Sequence, residues 1–151
     1  MQVSEILAAK GDRVISIDSA ATVRDVADTL QREGIGAAVV NGDGKEMAGI
    51  ISERDVVASI AQHGPAALEM PAADLMNRTV ITCTPDSSTQ ELMEQMLASR
   101  IRHLPVVNGD ALVGMISVSD VVKAVLSELK WMTKVLQDQL ATAAAWSTDE
   151  D

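Results

Sequence analysis

Apolar positions recur in two rhythms along this chain. Short apolar runs at Val14 to Ile17, Ala37 to Val40, Met47 to Ile51, Val80 to Cys83, Leu104 to Val107 and Leu112 to Ile116 have the length and β-branched content of strands. Between them, Val26 with Leu30 and Leu92 with Met96 stand four apart, which predicts two helices that each offer one apolar stripe to a sheet. Both helices open on a capping box, Thr22 with Asp25 and Ser88 with Glu91, and end near Gly34 and Arg100. Asn41-Gly42-Asp43-Gly44-Lys45 and Asn108-Gly109-Asp110 join the middle runs as hairpin turns, and a second helix follows each of Ser52 and Ser117. Each half therefore reads strand, helix, strand, strand, helix, a mixed α/β pattern.

The halves are copies of one another. Gly49-Ile50-Ile51-Ser52-Glu53-Arg54-Asp55-Val56-Val57 returns sixty-five positions later as Gly114-Met115-Ile116-Ser117-Val118-Ser119-Asp120-Val121-Val122. Upstream the offset is sixty-six: Val14-Ile15-Ser16-Ile17 matches Val80-Ile81-Thr82-Cys83, and Val26, Leu30 and Ile35 match Leu92, Met96 and Ile101. The change of offset falls in the turn, where length is tolerated. A repeated unit packs against its copy to bury its apolar face, so the cleft between copies is the place to seek function. The boundaries expected are 1–63 for the first repeat, 64–71 for a linker marked by Gly64-Pro65, 72–126 for the second repeat, and 127–151 for an extension.

That extension continues the last helix. From Val121 the pattern runs through Val125, Leu129, Met132, Leu136 and Leu140 at spacings of three and four, predicting a long amphipathic helix with an acidic tail over 147–151. The first repeat does without such a stripe, which predicts a partner helix and a homodimer. Trp131 is expected at the edge of the buried stripe and Trp146 in solvent.

Composition narrows the function. The chain has 151 residues, 47% hydrophobic, with no Phe or Tyr, so the core is built from aliphatic side chains and the eight methionines. A formal charge of −10 argues against nucleic acid or anionic lipid as the main partner. Small phosphate ligands stay open to it, because they need only local donors such as Arg54, Arg102, His103 and helix N-terminal amides. The single cysteine, Cys83, lies in an apolar run and reads as a buried thiol; with no export signal or membrane-length apolar run, the expected location is the cytoplasm. His63, His103 and Cys83 lack the spacing of a zinc site, and His103 with Cys83 has no orienting group or oxyanion donors, so neither a metal site nor an enzyme is expected.

The repeated Ser-x-x-Asp has two readings. As an isolated motif it is a helix cap, Ser52 and Ser117 accepting first-turn amides while Asp55 and Asp120 close the box. Its recurrence in both copies, three residues after a glycine and at a strand-to-helix junction, points instead to a ligand: the helix start offers amides and a hydroxyl to phosphate, and a carboxylate accepts the hydroxyls of a ribose.

On these Gly-h-h-Ser-x-x-Asp segments (h, an apolar residue), and on the run Arg100-Ile101-Arg102-His103-Leu104-Pro105-Val106-Val107, the chain to about Leu126 resembles a tandem pair of cystathionine-β-synthase-type (CBS) domains, a Bateman module. The resemblance implies two β-α-β-β-α repeats packed with pseudo-two-fold symmetry, two clefts that take adenosine-containing ligands, and no catalysis. Carried over by position, Asp55 and Asp120 hold ribose hydroxyls, and Ser52 and Ser117 approach phosphate or ribose. Adenine lies along Ile15, Ser16 and Ile17 or along Ile81, Thr82 and Cys83, with Pro85, Leu104 and Pro105 in the same set. Arg102 and His103 resemble phosphate-facing positions. The first copy has Gly36 and Ala37 there, so Arg54, which stands where the second copy has Ser119, is expected to compensate and the two sites to differ in phosphate preference. The function implied is a stand-alone regulatory module that binds AMP, ADP, ATP or NAD(H) and signals to a partner protein; the alternative is a ligand-free adaptor that works by dimerisation.

Overall fold

In a computed structural model that describes residues 1–44 and 46–148, the elements follow in the order α1 (Val3–Lys10), β1 (Ser16–Asp18), α2 (Val23–Glu33), β2 (Ala37–Asn41), β3 (Met47–Ser52), α3 (Glu53–His63), a 3-10 segment (Gly64–Glu69), α4 (Ala72–Leu75), α5 (Thr89–Ser99), β4 (His103–Asn108), β5 (Ala111–Ser117) and α6 (Val118–Thr148). Lys45 and the end of the acidic tail, 149–151, lie outside the described residues.

Both capping boxes are formed: Asp25 N–H donates to Thr22 Oγ1 at 3.2 Å and Glu91 N–H to Ser88 Oγ at 3.1 Å, each returned by the acidic side chain. Gly34 ends α2 in the left-handed conformation. Arg100 ends α5 in the same conformation at φ 54°, the only non-glycine among the described residues with positive φ.

The predicted hairpins form, with Ala37 opposite Ser52 and His103 opposite Ser117, so each Ser-x-x-Asp opens its helix beside the start of the first strand of its hairpin. The opening strands differ. Ser16–Asp18 pairs in parallel with β2, starting two residues later and ending one later than the expected Val14 to Ile17. Val80 to Cys83 forms no strand and makes a single parallel bridge, Cys83 to Val106. The cause is Pro105. In the first copy Val39 N–H donates to Ile15 O at 3.2 Å, but the matching residue of the second copy is proline, which has no N–H to give Ile81.

Two aliphatic clusters form the core, and each borrows a helix from the other repeat. Val3 and Ile6 of α1 pack with Leu92, Leu104, Ile116 and Val121, whereas Ala72 and Met76, which open the second repeat, pack with Val26, Val40 and Ile51 of the first. The exchange is symmetric down to the backbone: Gln2 bridges to Ser88, and Pro71 to Thr22. Gly114 and Gly49 make room for it, since a Cβ at Gly114 would lie 2.6 Å from Leu7 Cδ2 and one at Gly49 2.7 Å from Asn77 O. The segment expected as a plain linker is packed as well, with Ala67 fully buried.

The last helix extends well past the repeat. Val121 and Ala124 face the core, but Leu129, Met132, Leu136 and Leu140 are exposed, as are Trp131 (67%) and Trp146 (75%). No described helix is long and apolar enough to cross a membrane.

Candidate functional site

Each Ser-x-x-Asp closes on itself. Asp55 Oδ2 accepts the Ser52 N–H at 2.8 Å and the Ser52 hydroxyl at 3.0 Å, while Ser52 Oγ receives the Asp55 N–H at 3.4 Å. Asp120 and Ser117 repeat this at 2.8, 2.9 and 3.2 Å. The first helical amides are used too, Glu53 N–H donating to Gly36 O at 3.0 Å and Val118 N–H to Arg102 O at 2.9 Å. Capping is therefore real in both copies. It leaves the second amide of each helix, at Arg54 and Ser119, without an intrahelical partner by the geometry of a helix start.

Both helix starts open onto a cleft. The larger, about 560 Å³, lies between the repeats and joins Ser117, Ser119 and Asp120 to Val14, Ile15, Gly36 and Ala37 of the other copy. The smaller, about 340 Å³, joins Ser52, Arg54 and Asp55 to Arg100, Ile101 and Asn77. Both volumes fall in the range of small-ligand sites. Gly36, Ala37, Glu53, Arg102 and His103 line both clefts, so the two meet near the pseudo-two-fold axis. A Cβ at Gly36 would stand 3.1 Å from both Glu53 Oε1 and His103 Cε1; glycine lets these two side chains converge there.

Charge in the clefts runs against the charge of the chain. Lys10, Arg13 and Arg102 face the larger cleft against Glu53 and Asp120; Arg54, Arg100 and Arg102 face the smaller against Glu53 and Asp55. Arg102 and His103 thus line both clefts, whereas the sequence expectation placed them in one and left the Ser52 site without them. Burial lowers the pKa of His103 below the ordinary histidine value, with Lys10 and Arg102 adding to the effect and Glu53 and Asp120 opposing it. Asp120 is pushed up by burial but pulled further down by Lys10, which donates to Oδ2 at 2.6 Å, and by Ser117, so its pKa ends below the usual carboxylate value.

Several residues in the expected set do not line either cleft. Ile17, Cys83, Leu104 and Pro105 are seated in the core, and Ile81 packs against it. Ser16 is exposed on β1, Thr82 borders a shallow groove beside α5, and the Pro85 carbonyl accepts the Ser4 N–H at 2.9 Å. Ile17 and Cys83 hold matching positions in the two copies, and both face the core beside the first strand of their hairpin, so their side chains point away from the clefts. Burial pushes the Cys83 thiol up to about 11, which keeps it neutral at pH 7. Among the described residues no three His, Cys, Asp or Glu side chains cluster as a metal site would require.

Sequence reasoning missed Lys10, Arg13, Glu53, Arg100 and Asn77. Lys10 was recoverable in part, because Val3, Ile6 and Leu7 carry helical spacing that marks α1; that α1 crosses to the other repeat was not.

Comparison with known proteins agrees with this architecture. The family model described as CBS domain matches residues 3–62 and 72–127. Among curated proteins, the mitochondrial CBS domain-containing protein CBSX3 of Arabidopsis thaliana is 36% identical over 111 residues, 71% of this chain and 54% of that protein, so the chain spans about half the length of this relative. Among solved structures, a CBS-domain protein of Agrobacterium tumefaciens superposes with a TM-score of 0.80 at 37% identity, covering 82% of this chain and 92% of that one. A CBS domain protein of Pyrobaculum aerophilum, solved in complex with AMP, superposes with a TM-score of 0.74 at 32% identity, covering 86% and 98%.

Proposed function

The chain belongs to the CBS-domain family, and on that footing we propose that it is a cytoplasmic regulatory module that binds an adenine nucleotide, AMP, ADP, ATP or NAD(H), between its repeats and alters its association with a partner protein. The observation that carries the reading is the pair of connected clefts, each headed by a Ser-x-x-Asp helix start and edged with arginine, in a chain of net charge −10. In the larger cleft the base rests on Val14 and Ile15, Asp120 takes the ribose, and Arg102, His103 and the Ser119 amide face the phosphate. In the smaller, Asp55 takes the ribose and Arg54, Arg100 and Arg102 the phosphate. The similar Pyrobaculum aerophilum protein, which holds AMP, supports the ligand class. The exposed stripe of α6 supports a homodimer, since apolar area of that extent marks an interface.

One observation favours the alternative of a ligand-free adaptor: both aspartates are already engaged in capping, and Asp120 also holds Lys10. Thermal denaturation with AMP, ADP, ATP and NAD separates the two. A ligand at a hundred times its Kd adds about 2.7 kcal/mol, a rise of roughly 5–10 °C for a chain of this size. If no nucleotide raises the melting temperature at millimolar concentration, the adaptor reading stands in its place.

A further inference from the structure

The pseudo-symmetry that exchanges α1 and the segment beginning with α4 makes their differences informative. Gln2 and Pro71 occupy equivalent bridges, and Leu7 and Met76 fill equivalent glycine notches. Three residues past the notch stands Lys10 on one side and Thr79 on the other. α1 continues through Lys10, which lines the larger cleft, whereas α4 ends at Leu75 and its segment brings the uncharged Asn77 to the smaller one.

The consequence lies at the aspartates. Asp120 Oδ2 accepts three donors, the Ser117 amide, the Ser117 hydroxyl and the Lys10 ammonium at 2.6 Å, and its side chain is only 15% exposed. Among the described residues, Asp55 Oδ2 accepts the two Ser52 donors and no cation. Lys10 also donates to Met115 O at 2.8 Å; an ammonium has three N–H groups, so one is left to face the cleft that Lys10 lines. A ribose approaching Asp120 meets a carboxylate whose charge is largely taken up by Lys10. A phosphate approaching the same cleft meets the free N–H of Lys10 together with Arg13 and Arg102.

We propose that Lys10 is a specificity-determining residue: it makes the Asp120 cleft a site for 5′-phosphorylated nucleosides and a poor site for uncharged ones, while the Asp55 cleft binds ribose through a carboxylate that Lys10 does not reach. This rests on the reading of both clefts as nucleotide sites. AMP and adenosine are the probes, titrated calorimetrically. Asp55→Asn leaves the Asp120 cleft for measurement, and Asp120→Asn leaves the other; asparagine retains a capping oxygen in each. In the Asp55→Asn protein, AMP binds at least about tenfold more tightly than adenosine. Adding Lys10→Met lowers that ratio by about tenfold, the value of one charge-assisted hydrogen bond, by weakening AMP and strengthening adenosine. Lys10→Arg, which keeps the charge, restores most of the ratio and shows that the effect is not a loss of fold. In the Asp120→Asn protein, Lys10→Met leaves the ratio where it was. A ratio unmoved by Lys10→Met at the Asp120 cleft, or moved equally at both, overturns the assignment while the nucleotide reading stands. If the unsubstituted protein binds neither AMP nor adenosine, both fall together.

Discussion

Gly49→Ala tests the exchange of N-terminal segments that builds the fold. A methyl at Gly49 would lie 2.7 Å from the Asn77 carbonyl oxygen, 2.9 Å from Met76 Sδ and 3.0 Å from Met76 Cγ. The carbonyl cannot step aside, because Asn77 O accepts the Ile50 N–H at 3.0 Å and Asn77 N–H donates to Ile50 O at 2.8 Å. Making room means breaking this bridge and backing Met76 out of the core, where it is 9% exposed. Overpacking costs about 1–3 kcal/mol and each lost hydrogen bond about 0.5–1.5 kcal/mol. Against this, alanine lowers the unfolded-state entropy by about 0.4–1 kcal/mol. The net expectation is a loss of about 2–4 kcal/mol, or roughly 5–15 °C in melting temperature. Gly114→Ala meets only the tip of Leu7, a side chain that can rotate, and should cost about 1 kcal/mol, within the range for an ordinary substitution. Urea denaturation followed by far-UV circular dichroism measures both. A Gly49→Ala protein within 0.5 kcal/mol of the parent, a margin typical of surface changes, or a Gly114→Ala protein less stable than it, would refute the packing argument.

Arg100→Gly relieves a left-handed α5 cap and should raise stability by about 1 kcal/mol, while weakening AMP at the cleft headed by Asp55; an arginine variant that gains no stability would contradict the strain. His103, held below the ordinary histidine value by burial, contributes stability that is complete above about pH 6.5 and lost as pH falls through its depressed pKa. A bound phosphate should raise that pKa, read from the imidazole proton shift in NMR titrations with and without AMP, and a pKa unmoved by AMP would place the phosphate elsewhere. Truncation after Leu126 removes Leu129, Met132, Leu136 and Leu140 and should weaken self-association in analytical ultracentrifugation without loss of the repeats; unchanged association would assign assembly to the faces of the repeats.

Most of the fold could be read from local pattern. The four hairpin strands, the capping boxes of Thr22 and Ser88 and the break at Gly64 are each decided by residues within one or two turns of one another. What escaped depends on contacts between copies. The second opening strand failed because Pro105, more than twenty positions away, withholds one N–H from Ile81. Asp55 and Asp120 were found through repetition, but the cations that separate their clefts come from elsewhere: Lys10 from a helix that crosses to the other repeat, and Arg100 from a left-handed cap where the first copy has Gly34. Arg102 and His103 were expected to face phosphate in one site, and their position between both clefts follows only from the packing of the two copies.

The most direct test of the central claim is calorimetric titration of AMP into the intact protein and into a variant carrying both Asp55→Ala and Asp120→Ala. Saturable binding is expected in the former; in the latter, with the circular dichroism spectrum retained, a loss of about 1.5–3 kcal/mol is expected at the Asp55 cleft and a smaller one at the Asp120 cleft, where Lys10 already engages the carboxylate. Equal binding by the two proteins would mean that the aspartates are helix caps and nothing more, and would contradict the assignment of the clefts as nucleotide sites.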